Sequence, residues 1–185
     1  MHKKIKEILV AAAFAAGQVQ AAPLSLTDAT ITATYSGPGG IAHYAHDYQT
    51  GNNSGGLDPN GAYVEFATVD NLFYFDFDAS GRLAIYANNP PDPSGHYTFS
   101  FDFGASLAAP IAALTLVDAS GVAGIPGLTV VDGHTLAIDL SGLAWNTDFI
   151  PLTVELSGAD VPEPATLGLL LLGAAGLARS LRRRA

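Results

Sequence analysis

The sequence predicts an all-β body, an antiparallel β-sandwich of jelly-roll type, flanked by an amino-terminal signal peptide and a single carboxyl-terminal transmembrane helix. Apolar and polar residues alternate with a period of two from Ala62 to Leu156, as they do in strands that are buried on one face. Turn residues recur between the alternating segments, and no segment of the body has a sustained helical stripe. The chain of 185 residues has no cysteine, so the body does not depend on disulfides.

Basic residues are concentrated at the two ends of the chain, and this divides it into three segments. We predict a signal peptide at residues 1–21, the β-sandwich body at 22–160 and a sorting segment at 161–185. The body has fifteen acidic residues and one basic residue, Arg82, which give a formal net charge of −14. Binding to a nucleic-acid backbone requires clustered Lys and Arg, so nucleic acid is excluded as a partner of the body.

The amino-terminal segment has the regions of a secretory signal peptide. Lysines precede an apolar run at residues 8–17, and Val19 and Ala21 have the spacing that signal peptidase requires. Cleavage is expected after Ala21, and cleavage after Ala22 is equally compatible. Signal peptidase is therefore an expected processing enzyme, and the body is expected to be exported.

Strands of the body are predicted where aromatic or aliphatic residues alternate with polar ones. The clearest cases are the aromatic stripes at residues 73–77 and 97–103, each of which is predicted to bury phenylalanine on one face. Further strands are predicted near residues 24–35, 62–69, 82–87, 111–117, 135–140 and 149–157.

Turns and loops are predicted from glycine, aspartate and proline. The tetrapeptide Asp-Ala-Ser-Gly occurs at residues 78–81 and again at 118–121, and Asp132 with Gly133 is a signal for a two-residue hairpin. Residues 50–61 are polar and rich in glycine, and they are predicted to form a long loop.

The carboxyl-terminal segment consists of a collar, an apolar span and a basic tail. Pro162 and Pro164 flank Glu163, and two prolines exclude this collar from a helix interior or a sheet ladder. Residues 165–178 carry no charge, and a helix that continues to residue 181 is long enough to cross a membrane. The basic tail is expected on the cytoplasmic side, with the body outside; its arginines are Arg179, Arg182, Arg183 and Arg184.

The order of collar, span and basic tail resembles the PEP-CTERM sorting signal of exported bacterial proteins. The collar of this chain, Pro162-Glu163-Pro164, matches the motif that gives the signal its name. The resemblance implies recognition by an exosortase, a transient anchor in the inner membrane, and cleavage near the motif. It also implies release or transfer of the body to the cell surface and an association with exopolysaccharide or biofilm matrix. The motif of a cell-wall sortase of the LPxTG type is missing.

A weak calcium site is one hypothesis for the body. Asp76, Asp78 and Ser80 have the spacing of oxygen ligands at the start of a calcium loop, and Gly81 allows the bend. An EF-hand would need glutamate at the twelfth position, where this chain has Ala87. The alternative is a hairpin turn with solvated aspartates, and no other cofactor is expected.

A second metal candidate is the group His43, His46 and Asp47. A helix would place both histidines on one face, whereas the glycines around them favour a strand or loop that points them to opposite faces. The sequence therefore does not favour a metal site here.

The sequence offers little evidence for catalysis. It lacks a nucleophile elbow, a zincin motif and a P-loop. Glu65 and Glu155 are the only glutamates of the body, and both alternate with apolar neighbours as solvent-facing residues do, which argues against a glycosidase pair. We expect a protein that is not an enzyme.

The leading hypothesis is a non-enzymatic exported surface or extracellular-matrix protein that an exosortase sorts. The alternative is a secreted carbohydrate- or calcium-binding β-sandwich module. A sugar-stacking platform would need exposed aromatic side chains, although such residues more often lie in the core of a β-protein. The candidates for that platform are Trp145, Tyr44, Tyr48, Tyr63 and Tyr86.

Overall fold

The structure is a computed structural model that describes residues 22–37, 39–44, 52–58, 61–146 and 149–159. The predicted signal peptide at residues 1–21 and the predicted sorting segment at 161–185 lie outside these residues, so the structure tests neither. Among the residues that it describes, no helix is both long enough and apolar enough to cross a membrane.

The regular secondary structure of the described part of the chain is almost entirely β-strand. One 3-10 turn, Gly104–Ser106, interrupts the strands. The strands are β1 (Ala22–Pro23), β2 (Thr30–Tyr35), β3 (Ile41–His43), β4 (Ser54–Gly56), β5 (Phe66–Thr68), β6 (Phe73–Phe77), β7 (Arg82–Ala87), β8 (Thr98–Asp102), β9 (Ile111–Asp118), β10 (Val122–Ala123), β11 (Gly127–Asp132), β12 (Thr135–Asp139), β13 (Ala144–Trp145) and β14 (Leu152–Gly158).

Two large antiparallel sheets organise these strands. The first has seven strands in the order β1-β14-β7-β6-β5-β3, and β9 also pairs with β14. The second has five strands in the order β11-β12-β8-β2-β4, and β10 pairs with β13 in a small separate sheet. The predicted all-β antiparallel class is confirmed, whereas the jelly-roll connectivity stays a prediction.

The two large sheets pack face to face through aromatic side chains of β6 and β8. The ring of Phe75 lies 4.6 Å from that of Phe99 and 5.1 Å from that of Phe101. Phe77 lies 5.1 Å from Phe101 and 5.9 Å from Phe103. Because successive side chains of a strand point to opposite faces, each period-two stripe delivers its phenylalanines to the same core. Both predicted aromatic stripes are confirmed as strands that are buried on one face.

Several predicted element bounds differ from the observed ones; the strand expected near residues 149–157, for example, runs from Leu152 to Gly158. The strand expected near residues 24–35 begins only at Thr30, because Leu26 instead donates a backbone hydrogen bond to Ala79 and accepts one from Ala29. The strand expected near 62–69 is reduced to β5. The predicted loop at 50–61 contains β4, which pairs with β2 although its sequence, Ser-Gly-Gly, has no apolar side chain to reveal a strand.

The predicted turns are found, with one shift of register. Residues 78–81 connect β6 to β7, and residues 118–121 follow β9. In the β11–β12 hairpin, Asp132 pairs with Thr135, so the two loop residues are Gly133 and His134 rather than Asp132 and Gly133. The Asp132 carboxylate accepts a hydrogen bond from the His134 N–H at 2.9 Å, and this stabilises the turn from its first residue.

Candidate functional site

The two ends of the body lie side by side. Ala22 is opposite Gly158, and Pro23 is opposite Ser157, in the antiparallel pair of β1 and β14. After β14, the N–H of Ala159 donates to the carbonyl oxygen of Pro110 at 2.9 Å. The sorting collar at residues 162–164 and the basic tail at 179–184 lie outside the described residues. Ala21 also lies outside them, and Ala22 is the first described residue. The last described residue before the sorting segment therefore lies close to Ala22, the residue that follows the predicted signal peptide.

An aromatic strip lies on the outer face of the seven-stranded sheet. Tyr74 of β6 is directly opposite Tyr86 of β7, and their strand neighbours Phe75 and Ile85 are fully buried on the other face. The ring of Phe149 lies 6.2 Å from that of Tyr74, and 55% of Phe149 is exposed. We call Tyr74, Tyr86 and Phe149 the tyrosine strip.

The hydroxyl groups of Tyr74 and Tyr86 are protonated at neutral pH. Burial raises the pKa of Tyr74, and burial together with the charge of Asp76 raises the pKa of Tyr86. The Tyr74 hydroxyl donates to Asn71 Oδ1 at 3.4 Å. The strip thus combines aromatic faces with polar edges, as surfaces that bind amphipathic ligands do.

The predicted aromatic platform is only partly brought together. Trp145 is wrong as a platform residue, because it is 6% exposed and packs 5.9 Å from Phe73 in the core. Tyr63 is 53% exposed, and Tyr44 and Tyr86 are half-buried, whereas Tyr48 lies outside the described residues. The sequence analysis missed Tyr74 and Phe149. Tyr74 could have been found, since it occupies the polar phase of the aromatic stripe at residues 73–77.

The prediction that Glu65 faces solvent is wrong. Glu65 is 1% exposed; its Oε1 accepts a hydrogen bond from the N–H of Asp58 at 3.0 Å, and its Oε2 accepts one from the N–H of Phe77 at 2.6 Å. Burial raises the pKa of Glu65 to about 7, the two hydrogen bonds offset part of that effect, and the charge of Asp76 adds to it. The carboxylate acts as a bridge between the 57–64 loop and the end of β6. Glu155 is half-buried on β14, opposite Arg82.

Of the calcium candidates, Asp76 lies in β6, whereas Asp78 and Ser80 lie in the turn that connects β6 to β7. Asp78 Oδ1 accepts hydrogen bonds from the N–H of Ser80 at 2.8 Å, from its hydroxyl at 2.6 Å and from the N–H of Arg82 at 3.0 Å. Burial would raise the pKa of Asp78, but these hydrogen bonds outweigh it and lower the pKa. Burial, followed by the charges of Asp78 and Asp58, raises the pKa of Asp76. No group of three or more His, Cys, Asp or Glu in the described ranges is arranged to hold a metal ion.

The histidine candidates are described only in part. His43 lies in β3, where its Nε2 is 3.0 Å from the carbonyl oxygen of Gly56 and its ring lies 5.3 Å from that of Phe66. His46 and Asp47 lie outside the described residues. In the structure, His43 serves the packing between β3 and β4.

Comparison with known proteins identifies the carboxyl-terminal segment. Residues 160–184 match the PEP-CTERM protein-sorting motif, which implies an exported protein that an exosortase processes. The predicted sorting signal is therefore confirmed. No curated protein and no solved structure matches the chain.

Proposed function

We propose that the chain is a non-enzymatic exported protein of the cell surface or extracellular matrix, and that it associates with exopolysaccharide. The observation that carries this proposal is the sorting motif at residues 160–184. Signal peptidase removes residues 1–21, the helix at 165–181 anchors the body transiently in the inner membrane, and the exosortase then cuts near the collar. The body functions outside the cell.

The charge of the body indicates which polysaccharides it tolerates. Its formal net charge is −14, and Arg82, its one basic residue apart from histidines, lies opposite Glu155. An acidic surface repels polyanions and keeps the protein soluble at high local concentration. We therefore assign a neutral glycan, rather than a uronate or sulfated polymer, to this body.

The tyrosine strip is the surface that we assign to the glycan. Sugar rings have an apolar C–H face that stacks on aromatic rings, and their hydroxyls bond to groups at the rim. Tyr74, Tyr86 and Phe149 offer the rings, and the Tyr86 hydroxyl and the Asp76 carboxylate offer polar partners beside them. A flat sheet face suits an extended polymer better than a small sugar, because it leaves both ends of a bound segment open.

Binding of the full chain in detergent to a neutral β-glucan tests this assignment. We expect the double variant Tyr74→Ala/Tyr86→Ala to lose about thirtyfold in affinity, because it removes two aromatic contacts of about 1 kcal/mol each. Val131→Ala is the matched control, since Val131 is 58% exposed on the five-stranded sheet. Circular dichroism must show that each variant is folded.

The outcomes separate the proposal from its alternative. Equal glucan affinity of the double variant and the control would exclude the tyrosine strip as the glycan site. Binding that requires millimolar calcium would instead support a calcium-dependent binding module. Stronger binding to alginate than to β-glucan would contradict the argument from charge.

A further inference from the structure

The segment that precedes β9 forms an open apolar groove at the exit of the sorting segment. Leu107, Ala109 and Pro110 line this groove together with Gly133 and His134. The chain bends at Ala108 and Ala109, which both line the groove. Leu107 and Ala109 are only half-buried, so an apolar surface stays exposed where the body ends.

The last described residues lie beside the segment that lines this groove. Gly158 pairs with Ile111, and the N–H of Ala159 donates to Pro110 O at 2.9 Å. A Cβ at Gly158 would lie 3.6 Å from the Cβ of Ala109, which is ordinary van der Waals contact. The N–H of Ile111 is turned the other way and donates to Gly133 O at 2.7 Å. The described residues therefore end at Ala159, which is bonded to a residue that lines the groove.

One edge of the groove has unused backbone groups. Among the described residues, neither the N–H nor the carbonyl oxygen of Ala108 takes part in a hydrogen bond. Ala108 is exposed. In an extended segment alternate carbonyl groups point to the same side, so the carbonyl of Ala108 is the next acceptor on the side of Pro110 O. Unpaired backbone groups beside an apolar surface are a template for one more extended segment.

We propose that residues 160–164 of the uncut chain dock in this groove as an extended edge of the body. The inference rests on residues 162–164 being the sorting collar. Three residues in extended conformation span about 10 Å, so Pro162 reaches the groove without a linker. Val161 and Glu163 each precede a proline, which holds them in extended conformation.

The spacing of the two prolines fits this arrangement. In an extended segment alternate N–H groups point to the same side, so Val161 and Glu163 follow Ala159 in pointing toward the 107–110 segment. Pro162 and Pro164, which have no N–H, fall on the positions that point away. Side chains alternate as well, so Pro162 lies on the side of the apolar groove while Glu163 faces solvent, where a sorting enzyme can read it.

Amide hydrogen exchange of the full chain tests the docking. The protein is purified in detergent from the membranes of a host that exports it and has no exosortase. We expect the Val161 N–H to exchange at least about tenfold more slowly than in an unstructured peptide of the same sequence, and the Asp160 N–H to exchange as fast as in that peptide. Fast exchange at both residues, or equal protection of both, would overturn the proposal.

A charge placed in the groove gives a second test. Ala108→Asp adds a carboxylate beside the acidic collar at an exposed position, so we expect it to abolish the protection of Val161. Ile125→Asp adds the same charge at a side chain that is 85% exposed. Ile125 precedes the first residue of β11, whereas the groove residues Gly133 and His134 follow its last residue. This variant should leave Val161 protected. Protection that survives Ala108→Asp would overturn the docking. Sorting is measured separately, as release of the body from the membrane. Release of the body together with fast exchange at Val161 would reject the docking and leave the proposed sorting in place.

Discussion

Ala22 lies directly opposite Gly158 in an antiparallel pair, so the first and last strands of the body are neighbours. Leu24 extends this junction, since its N–H donates to Leu156 O at 3.1 Å. The chain enters and leaves the body at adjacent positions. If the chain is cut at both predicted sites, both cuts fall at the same end of the sheet, outside the core that the described residues form.

Gly81 is predicted to be essential to this junction. It has a φ of +85°, and a Cβ there would collide with the carbonyl oxygen of Leu24 and lie 3.1 Å from that of Leu156. We expect Gly81→Ala to lower the free energy of unfolding by about 2–4 kcal/mol, because it combines backbone strain with this collision. Urea unfolding measures the change.

Gly142→Ala is the matched control for Gly81. Gly142 has a φ of +75°, but no atom lies within 4 Å of a Cβ built there. We expect a loss of about 1 kcal/mol from the strain alone. Equal losses at the two positions would show that the contact with Leu24 and Leu156 does not matter.

Phe99 is predicted to be a principal residue of the packing between the sheets. Its ring is stacked 4.5 Å from that of Tyr35 and lies 4.6 Å from Phe75. We expect Phe99→Ala to cost about 3–5 kcal/mol, through lost burial and the cavity that it leaves. Phe149→Ala removes the same group at a position that is 55% exposed, so the free energy of unfolding should change by about 0.5 kcal/mol or less. Thermal unfolding measures both variants. A small loss for Phe99→Ala would contradict the observed core.

Glu65 predicts a pH dependence of stability. Its pKa rises from 4.5 to about 7 on folding, so the folded state binds the proton more tightly. The stabilisation is fully present below about pH 4.5 and is lost as the pH rises through 7, a decrease of up to about 3 kcal/mol. Urea unfolding at pH 4.5, 6 and 8 should show this decrease in the wild-type chain and not in Glu65→Gln.

The Glu65 variant also has a cost that does not depend on pH. The glutamine side chain has one acceptor oxygen, so it can replace only one of the two hydrogen bonds from the N–H groups of Asp58 and Phe77. The lost hydrogen bond should lower the free energy of unfolding by about 1–3 kcal/mol. Glu155→Gln removes a carboxylate from the half-buried outer side of β14 and must leave the decrease between pH 4.5 and 8 in place. If the free energy of unfolding of Glu65→Gln still decreased between pH 4.5 and 8, a group other than Glu65 would be responsible for the decrease.

The strands with aromatic stripes could be predicted from the sequence, because one apolar side chain at every second position leaves few alternatives. β4 could not be predicted, since Ser54, Gly55 and Gly56 have no apolar periodicity and pair with β2 only through their backbone. The two-residue loop of the β11–β12 hairpin was predicted one residue too early, because a turn signal does not set the register of the strands that it joins.

The candidate site was predictable where it depended on local sequence and unpredictable where it depended on packing. The collar at residues 162–164 and the Asp78 turn follow from short motifs. Glu65 alternates with apolar neighbours as an exposed residue would, but the folded chain buries it, and its carboxylate accepts hydrogen bonds from the N–H groups of Asp58 and Phe77. Trp145 is likewise buried by packing against Phe73, which lies far from it in the sequence.

The central claim is that the body is exported and then freed from its carboxyl-terminal segment, and the intact mass of the surface-released protein tests it most directly. We expect a mass that begins at Ala22 or Pro23 and excludes residues 165–185, whereas Glu163→Gln, or replacement of Arg182, Arg183 and Arg184, should leave a longer membrane-bound form. Glu155→Gln should be processed like the wild-type chain. A released wild-type protein that still contains residues 165–185 would contradict the account.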